Sequence, residues 1–105
     1  MLVLEFMFDY TAYSCIWSAN QETANKFGGW GCISHETLGI SEELDLRMTN
    51  LCKEYNTFLN WESPSSPSPR SEEEWISFKK RSRKAYDDLV KEIGDEYKIE
   101  YGLHE

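Results

Sequence analysis

Residues 2–10, LVLEFMFDY, decide the fold because their side chains alternate in character with a period of two. Every even position is aliphatic or aromatic, whereas Glu5 and Asp9 stand at odd positions. This alternation is typical of a β-strand that buries one face and turns the other toward water. The stretch therefore predicts a strand whose apolar face must be covered by a second layer of structure.

Two further stretches favour short strands. In residues 11–18, Tyr13, Cys15 and Trp17 share one phase, which predicts a second strand after a bulge or a tight turn. In residues 97–101, apolar and charged side chains alternate again. We expect this closing strand to pair with the first one.

The segment at residues 20–39 has no clear period and holds four of the six glycines. It predicts a loop with room for a short strand at residues 31–34. Loops of this length often carry function. Within it, Cys32 and His35 supply only half of the donors that a zinc site needs, so no metal is predicted. A nucleophilic Cys/His pair in a small enzyme, with its site near these two residues, stays open as an alternative.

Two amphipathic helices are predicted by capping residues followed by apolar positions at spacings of three or four. Ser41 can cap the first helix, and Ser71 with Glu74 forms a capping box for the second, which Gly94 ends. All three prolines fall in the connection at residues 60–69, so neither helix can run through it. The buried positions are expected to be Leu44, Met48, Leu51, Cys52, Tyr55 and Leu59 in the first helix and Trp75, Phe78, Ser82, Ala85, Leu89 and Ile93 in the second.

The order strand, strand, loop, helix, helix, strand predicts a fold of the α+β class. A chain of 105 residues can bury roughly two thirds of its unfolded surface, and the 40% hydrophobic fraction supplies a core. We expect a single α+β domain over residues 1–105, in which a small antiparallel sheet packs against two amphipathic helices.

The chain is strongly acidic, with 19 Asp and Glu against 11 Lys and Arg and a net charge of −8. This charge predicts a partner with a basic surface and opposes nonspecific attraction to a phosphate backbone. The basic residues at 79–84 are offset by acidic neighbours at 72–74 and 87–88. We therefore expect no direct binding of nucleic acid.

The cellular setting is predicted by cysteine usage and by the absence of targeting patterns. Three cysteines without a CxxC pair indicate neither a disulfide framework nor a metal site and fit a reducing cytoplasm. Residues 2–9 lack the marks of a signal peptide, and no apolar run is long enough to cross a bilayer. We expect a cytoplasmic protein that makes no contact with membranes, uses no cofactor and is monomeric when free.

An aromatic group near the first two strands is a candidate binding surface. Tyr and Trp are ordinary core residues, but they are also enriched in the hot spots of protein interfaces. Exposed rings with an acidic rim would suit docking into a basic cleft. From position and charge alone, we predict a partner-binding set made of Asp9, Tyr10, Tyr13, Trp17, Glu36, Glu42 and Glu43.

A pattern of aromatic and turn residues resembles small acidic bacterial immunity proteins of polymorphic toxin systems, including contact-dependent growth inhibition. The resemblance covers about residues 8–101. The resemblance leads us to expect a uniformly acidic second helix, and the basic stretch at 79–84 departs from that expectation. The residues that carry it are Phe8-Asp9-Tyr10-x-x-Tyr13-x-x-x-Trp17, Leu38-Gly39-Ile40-Ser41-x-x-Leu44, Leu59-Asn60-Trp61-Glu62-x-Pro64 and Gly94-Asp95-Glu96-Tyr97-x-Ile99-Glu100-Tyr101.

The resemblance implies an immunity protein that binds and neutralises a cognate toxin domain, with one copy of each in the complex. A nuclease toxin needs a basic cleft to hold nucleic acid, and an acidic inhibitor could cover that cleft. Such an inhibitor has no catalytic residues of its own. The residues leave other interpretations open: an acidic regulatory adaptor, a nucleic-acid mimic, or the small enzyme with a site near Cys32 and His35.

Overall fold

A computed structural model describes residues 1–102 of the chain, so the last three positions of the predicted domain lie outside it. The protein has a small α+β fold, as the sequence predicts. Its elements in chain order are β1 (Val3–Phe6), β2 (Ile16–Ser18), α1 (Gln21–Phe27), a 3-10 turn (His35–Leu38), α2 (Glu42–Asn56), α3 (Glu72–Ile93) and β3 (Lys98–Tyr101).

The three strands form one sheet in the order β2-β1-β3. β2 runs antiparallel to β1, but β3 runs parallel to it, so the prediction of an antiparallel sheet is wrong for the third strand. The pairing of the closing strand with the first is confirmed, with Val3 beside Lys98. The parallel direction follows from where α3 ends: the Lys98 N–H donates to the Leu2 carbonyl at 2.9 Å, so β3 begins beside the start of β1 and runs in the same direction.

The first two strands are shorter than predicted because the chain turns at residues 9–12. The Ala12 N–H donates to the Asp9 carbonyl at 3.3 Å. Thr11 has a φ of 67°, in the left-handed region, which no extended strand can contain. β1 therefore ends at Phe6, and β2 begins only at Ile16.

The predicted loop at residues 20–39 contains α1, a helix of seven residues that the sequence pattern did not indicate. The Asn20 side chain accepts a hydrogen bond from the Thr23 N–H, and the Thr23 side chain caps the Asn20 N–H in return. Gly28 ends the helix in the left-handed conformation, with a φ of 85°. A helix this short spans too few turns to show a 3.6-residue period, so only its caps could have revealed it.

The core lies between the even face of β1 and the apolar faces of α2 and α3. Leu4, Phe6 and Phe8 are buried, as the alternation in residues 2–10 predicts. Phe8 packs edge-to-face on Phe78, with ring centroids 5.1 Å apart, and so joins the sheet to α3. The predicted helix positions that are buried are Leu44, Met48, Leu51 and Cys52 in α2 and Phe78, Ser82, Ala85, Leu89 and Ile93 in α3.

Ion pairs join α2 to α3 at the helix surface. Arg81 donates two hydrogen bonds of 2.6 Å to the Glu54 carboxylate. Asp88 accepts from both Arg47 and Lys84 at 2.8 Å. Members of the basic stretch at 79–84 are thus paired with acids of the same chain, as the sequence suggests.

Of the helices in residues 1–102, none combines the length and the apolar character that a membrane span requires.

Acid is expected to weaken the fold through Asp88. Hydrogen bonds from Lys84 and Arg47 lower the pKa of this carboxyl from 3.8 to about 2. Because the pKa is lower in the folded chain, the stabilisation is complete above about pH 4 and is lost as the pH falls toward 2. Urea unfolding between about pH 4 and pH 2 should show that Asp88→Asn loses less free energy of unfolding than wild type does. Lys84→Met, which keeps the Arg47 contact, should lose an intermediate amount. An equal loss in all three proteins would show that Asp88 is not the group responsible.

Candidate functional site: the open face of the sheet

One face of the sheet packs on the helices, and the opposite face carries the side chains of the odd positions of β1. Register partners in neighbouring strands point to the same side, so Glu5 lies between Trp17 of β2 and Glu100 of β3. A single antiparallel bridge adds Cys32 next to Trp17. These side chains are partly or fully exposed, in contrast to the buried even face. We call this surface the open face; it consists of Val3, Glu5, Trp17, Cys32, Lys98 and Glu100.

Aromatic side chains are held at the Cys32 end of the open face. The indole Nε1 of Trp17 donates to the Met7 carbonyl at 2.9 Å, which fixes the ring while leaving it partly exposed. Tyr13 is 64% exposed, and a hydrogen bond with the Cys32 thiol raises the pKa of its hydroxyl. Trp30, two positions before Cys32, is also exposed. Rigid, exposed rings of this kind are typical of protein-binding surfaces.

Two glutamates occupy neighbouring positions at the other end of the open face. Glu5 and Glu100 are direct register partners in the parallel pair of strands. Like charges placed opposite one another destabilise a sheet, so this pair costs stability in the free protein. A Cβ atom built on Gly102 would lie 2.6 Å from the Glu5 carboxylate, which shows that the Glu5 side chain lies close over the backbone that follows β3. The arrangement presents paired negative charge next to aromatic rings.

The residues of the predicted partner-binding set do not form one surface. Tyr13 and Trp17 both adjoin Cys32, at the open face. Tyr10 instead stacks on Tyr55 near the end of α2, with ring centroids 4.7 Å apart. Burial, aided by the neighbouring Tyr10, raises the pKa of Tyr55 to about 12. Tyr10 is therefore largely a packing residue.

The predicted acidic residues are spread along the helix layer. Asp9 is exposed in the turn before Tyr10, near the last turn of α2. Glu42 and Glu43 are exposed in the first turn of the same helix, and Glu36 precedes them in the 3-10 turn. The 15 residues of α2 span about 22 Å, so these groups lie at opposite ends of the helix. Sequence reasoning missed Glu5 and Glu100 as a pair because their proximity depends on the strand register.

The predicted pairing of Cys32 with His35 is not the one that the structure forms. Cys32 lies beside Trp17 and Tyr13. His35 is buried, and its Nε2 atom lies 3.7 Å from the Cys15 sulfur. The small enzyme with a site near Cys32 and His35 therefore lacks the contact that it would need between nucleophile and base.

Comparison with known proteins supports one assignment. No curated protein matches the chain. A family model described as Serratia CdiI immunity protein-like matches residues 3–103, which includes every strand and helix described above. The resemblance to immunity proteins of contact-dependent growth inhibition is thereby confirmed. The chain belongs to the Serratia CdiI immunity protein-like family.

Proposed function

We propose that the chain neutralises a cognate toxin domain by binding it through the open face, and that the toxin is a nuclease whose basic active-site cleft is covered in the complex. Membership of an immunity protein family supports toxin neutralisation. The observation that carries the binding mode is the open face itself, where exposed rings adjoin paired carboxylates. The side chains of the open face are half-buried or exposed, so they are available to a partner.

Charge and aromatic anchors have separate parts in this proposal. The net charge of −8 speeds the encounter with a basic partner, because complementary fields raise association rates. Tyr13 and Trp17 supply apolar area once the two surfaces meet, which slows dissociation. The acids Asp9, Glu36, Glu42 and Glu43 lie in other parts of the surface and act mainly through the long-range field. The proposed complex holds one copy of each protein, forms in the cytoplasm and involves no catalysis by this chain.

The proposal is tested by growth rescue. The chain is expressed in cells that carry an inducible toxin domain encoded by the gene immediately upstream of its own. Rescue together with a purified one-to-one complex would support neutralisation by binding, and loss of nuclease activity in that complex would identify the toxin class. Absence of both rescue and complex, with both proteins folded, would refute the pairing with that toxin.

Reversing the charge of Glu100 is expected to separate binding from folding. Glu100→Lys turns the like-charge register pair with Glu5 into an opposite-charge pair, so the free energy of unfolding should rise by about 0.2–1 kcal/mol. The association rate with the toxin should nevertheless fall by about tenfold at low salt, because the partner surface is basic.

Urea unfolding and stopped-flow mixing measure the two effects. Glu62→Lys, an equal change of charge in the proline-rich connection between α2 and α3, is the matched control and should alter the association rate far less. Equal slowing by both variants would show that only net charge matters and that the open face is not the docking surface.

A further inference from the structure

Three metal-ligating side chains meet in the core, away from the open face. Cys15 precedes β2, His35 begins the 3-10 turn and Cys52 lies on α2. Their exposed fractions are 0%, 4% and 6%. The two sulfur atoms and one ring nitrogen of His35 all lie within 4.8 Å of one another. Three distant parts of the chain thus bring two sulfur donors and one nitrogen donor to a single buried point.

The imidazole of His35 is held in the form that binds metal ions. Its Nδ1–H donates to the Asp45 carboxylate at 3.2 Å, and its Nε2 accepts from the Cys15 backbone N–H at 3.1 Å. The ring is therefore neutral, with the unprotonated Nε2 on the side of the thiols. Burial lowers the pKa of His35 and keeps the ring neutral, although Asp45 acts in the opposite direction. A carboxylate on the far nitrogen is the usual support of a metal-binding histidine.

We propose that Cys15, Cys52 and His35 bind one thiophilic cation, Zn²⁺ or Cu⁺. In a tetrahedral zinc site, bonds of about 2.3 Å to sulfur and 2.0 Å to nitrogen place these donors about 3.5 Å apart, close to the 3.7 Å between the Cys15 sulfur and Nε2. Binding releases one proton from each thiol to solvent and exchanges the Cys15 N–H bond to Nε2 for a coordinate bond. Two thiolates neutralise Zn²⁺, while two soft thiolates and an imidazole in a dry core suit Cu⁺.

Metal titration of the full-length, reduced protein tests the site independently of toxin binding. Zn²⁺ is added against a chromophoric chelator, and Cu⁺ is added in the same way without oxygen; one equivalent of either ion is expected to bind and to raise the melting temperature. The ion that binds more tightly identifies the site. Failure of both ions to bind the folded protein more tightly than about 1 μM would overturn the proposal.

Variants assign the ligands. Cys15→Ser and Cys52→Ser should each weaken binding more than about 100-fold, and Asp45→Asn about tenfold, because it supports the histidine from outside. Cys32→Ser, at the cysteine on the open face, is the matched control and should bind as wild type. Circular dichroism shows which variants are folded. Co²⁺ loaded into wild type should give a thiolate-to-metal absorption band. Retention of binding by the folded Cys15→Ser and Cys52→Ser variants, or its loss in Cys32→Ser, would overturn the assignment.

Discussion

Phe78→Ala is expected to lower the free energy of unfolding by about 3–5 kcal/mol, the largest effect of any single change considered for this chain. The Phe78 side chain has no exposed surface and lies at the centre of an aromatic cluster. It contacts Phe8 from the sheet, Phe58 after α2 and Trp75 on its own helix, with ring centroids 5.1, 5.4 and 5.5 Å apart. Alanine would leave a cavity where three elements meet.

A loss of that size approaches the whole stability of a small domain, which is about 5–15 kcal/mol. The variant should therefore unfold at a much lower urea concentration and be partly unfolded at 37 °C. Ile76→Ala is the matched control because Ile76 lies on the same helix and is exposed. It should change the free energy of unfolding by no more than about 0.5 kcal/mol. Similar losses in the two variants would show that α3 does not pack through Phe78.

Tyr13→Ala is expected to weaken the complex with the toxin by about 2 kcal/mol or more, which is a loss of affinity of about 30-fold. Tyr13 is 64% exposed, so its removal should leave the fold intact. At the centre of an interface, the same ring would be desolvated. The loss should appear mainly in the dissociation rate.

Leu46→Ala provides the control for this second change. Leu46 is 62% exposed and lies on α2, in the layer that packs on the opposite side of the sheet. Calorimetric titration of the toxin domain should give a wild-type affinity for this variant. If Leu46→Ala weakened the complex and Tyr13→Ala did not, the docking surface would lie on the helices rather than on the open face.

Signals within a few residues predicted most of the fold. Ser71 and Glu74 define the start of α3 by themselves, because each satisfies a backbone N–H of the other. The alternation in residues 2–10 likewise determines which side of β1 is buried. The direction of β3 could not be predicted in this way, because it depends on where α3 ends in space. α1 was missed because its caps lie in a segment rich in glycine.

The candidate site was less predictable than the fold for the same physical reason. Tyr10 and Tyr13 are the same residue type and only three positions apart. Tyr10 nevertheless packs on Tyr55, whereas Tyr13 is exposed to solvent. The turn at Thr11, with its positive φ, separates them. Similarly, Cys32 is only three positions from His35 in sequence, but the cysteines that lie beside His35 in space are Cys15 and Cys52. Contacts between elements that are distant in sequence therefore determine this cluster. Residue types indicated which side chains could bind a partner or a metal, but the tertiary structure determines which of these side chains lie together.

The position of β1 at the centre of the sheet has a consequence for synthesis on the ribosome. One edge of β1 is completed only when Lys98 and its neighbours arrive, and at about 5–20 residues per second the ribosome needs about 5–20 s to make the intervening chain. During that interval Leu4 and Phe6 have no complete layer to cover them. Under the proposed binding mode, a nascent chain cannot yet present the row from Trp17 to Glu100, so neutralisation of the toxin would begin only after β3 has been translated.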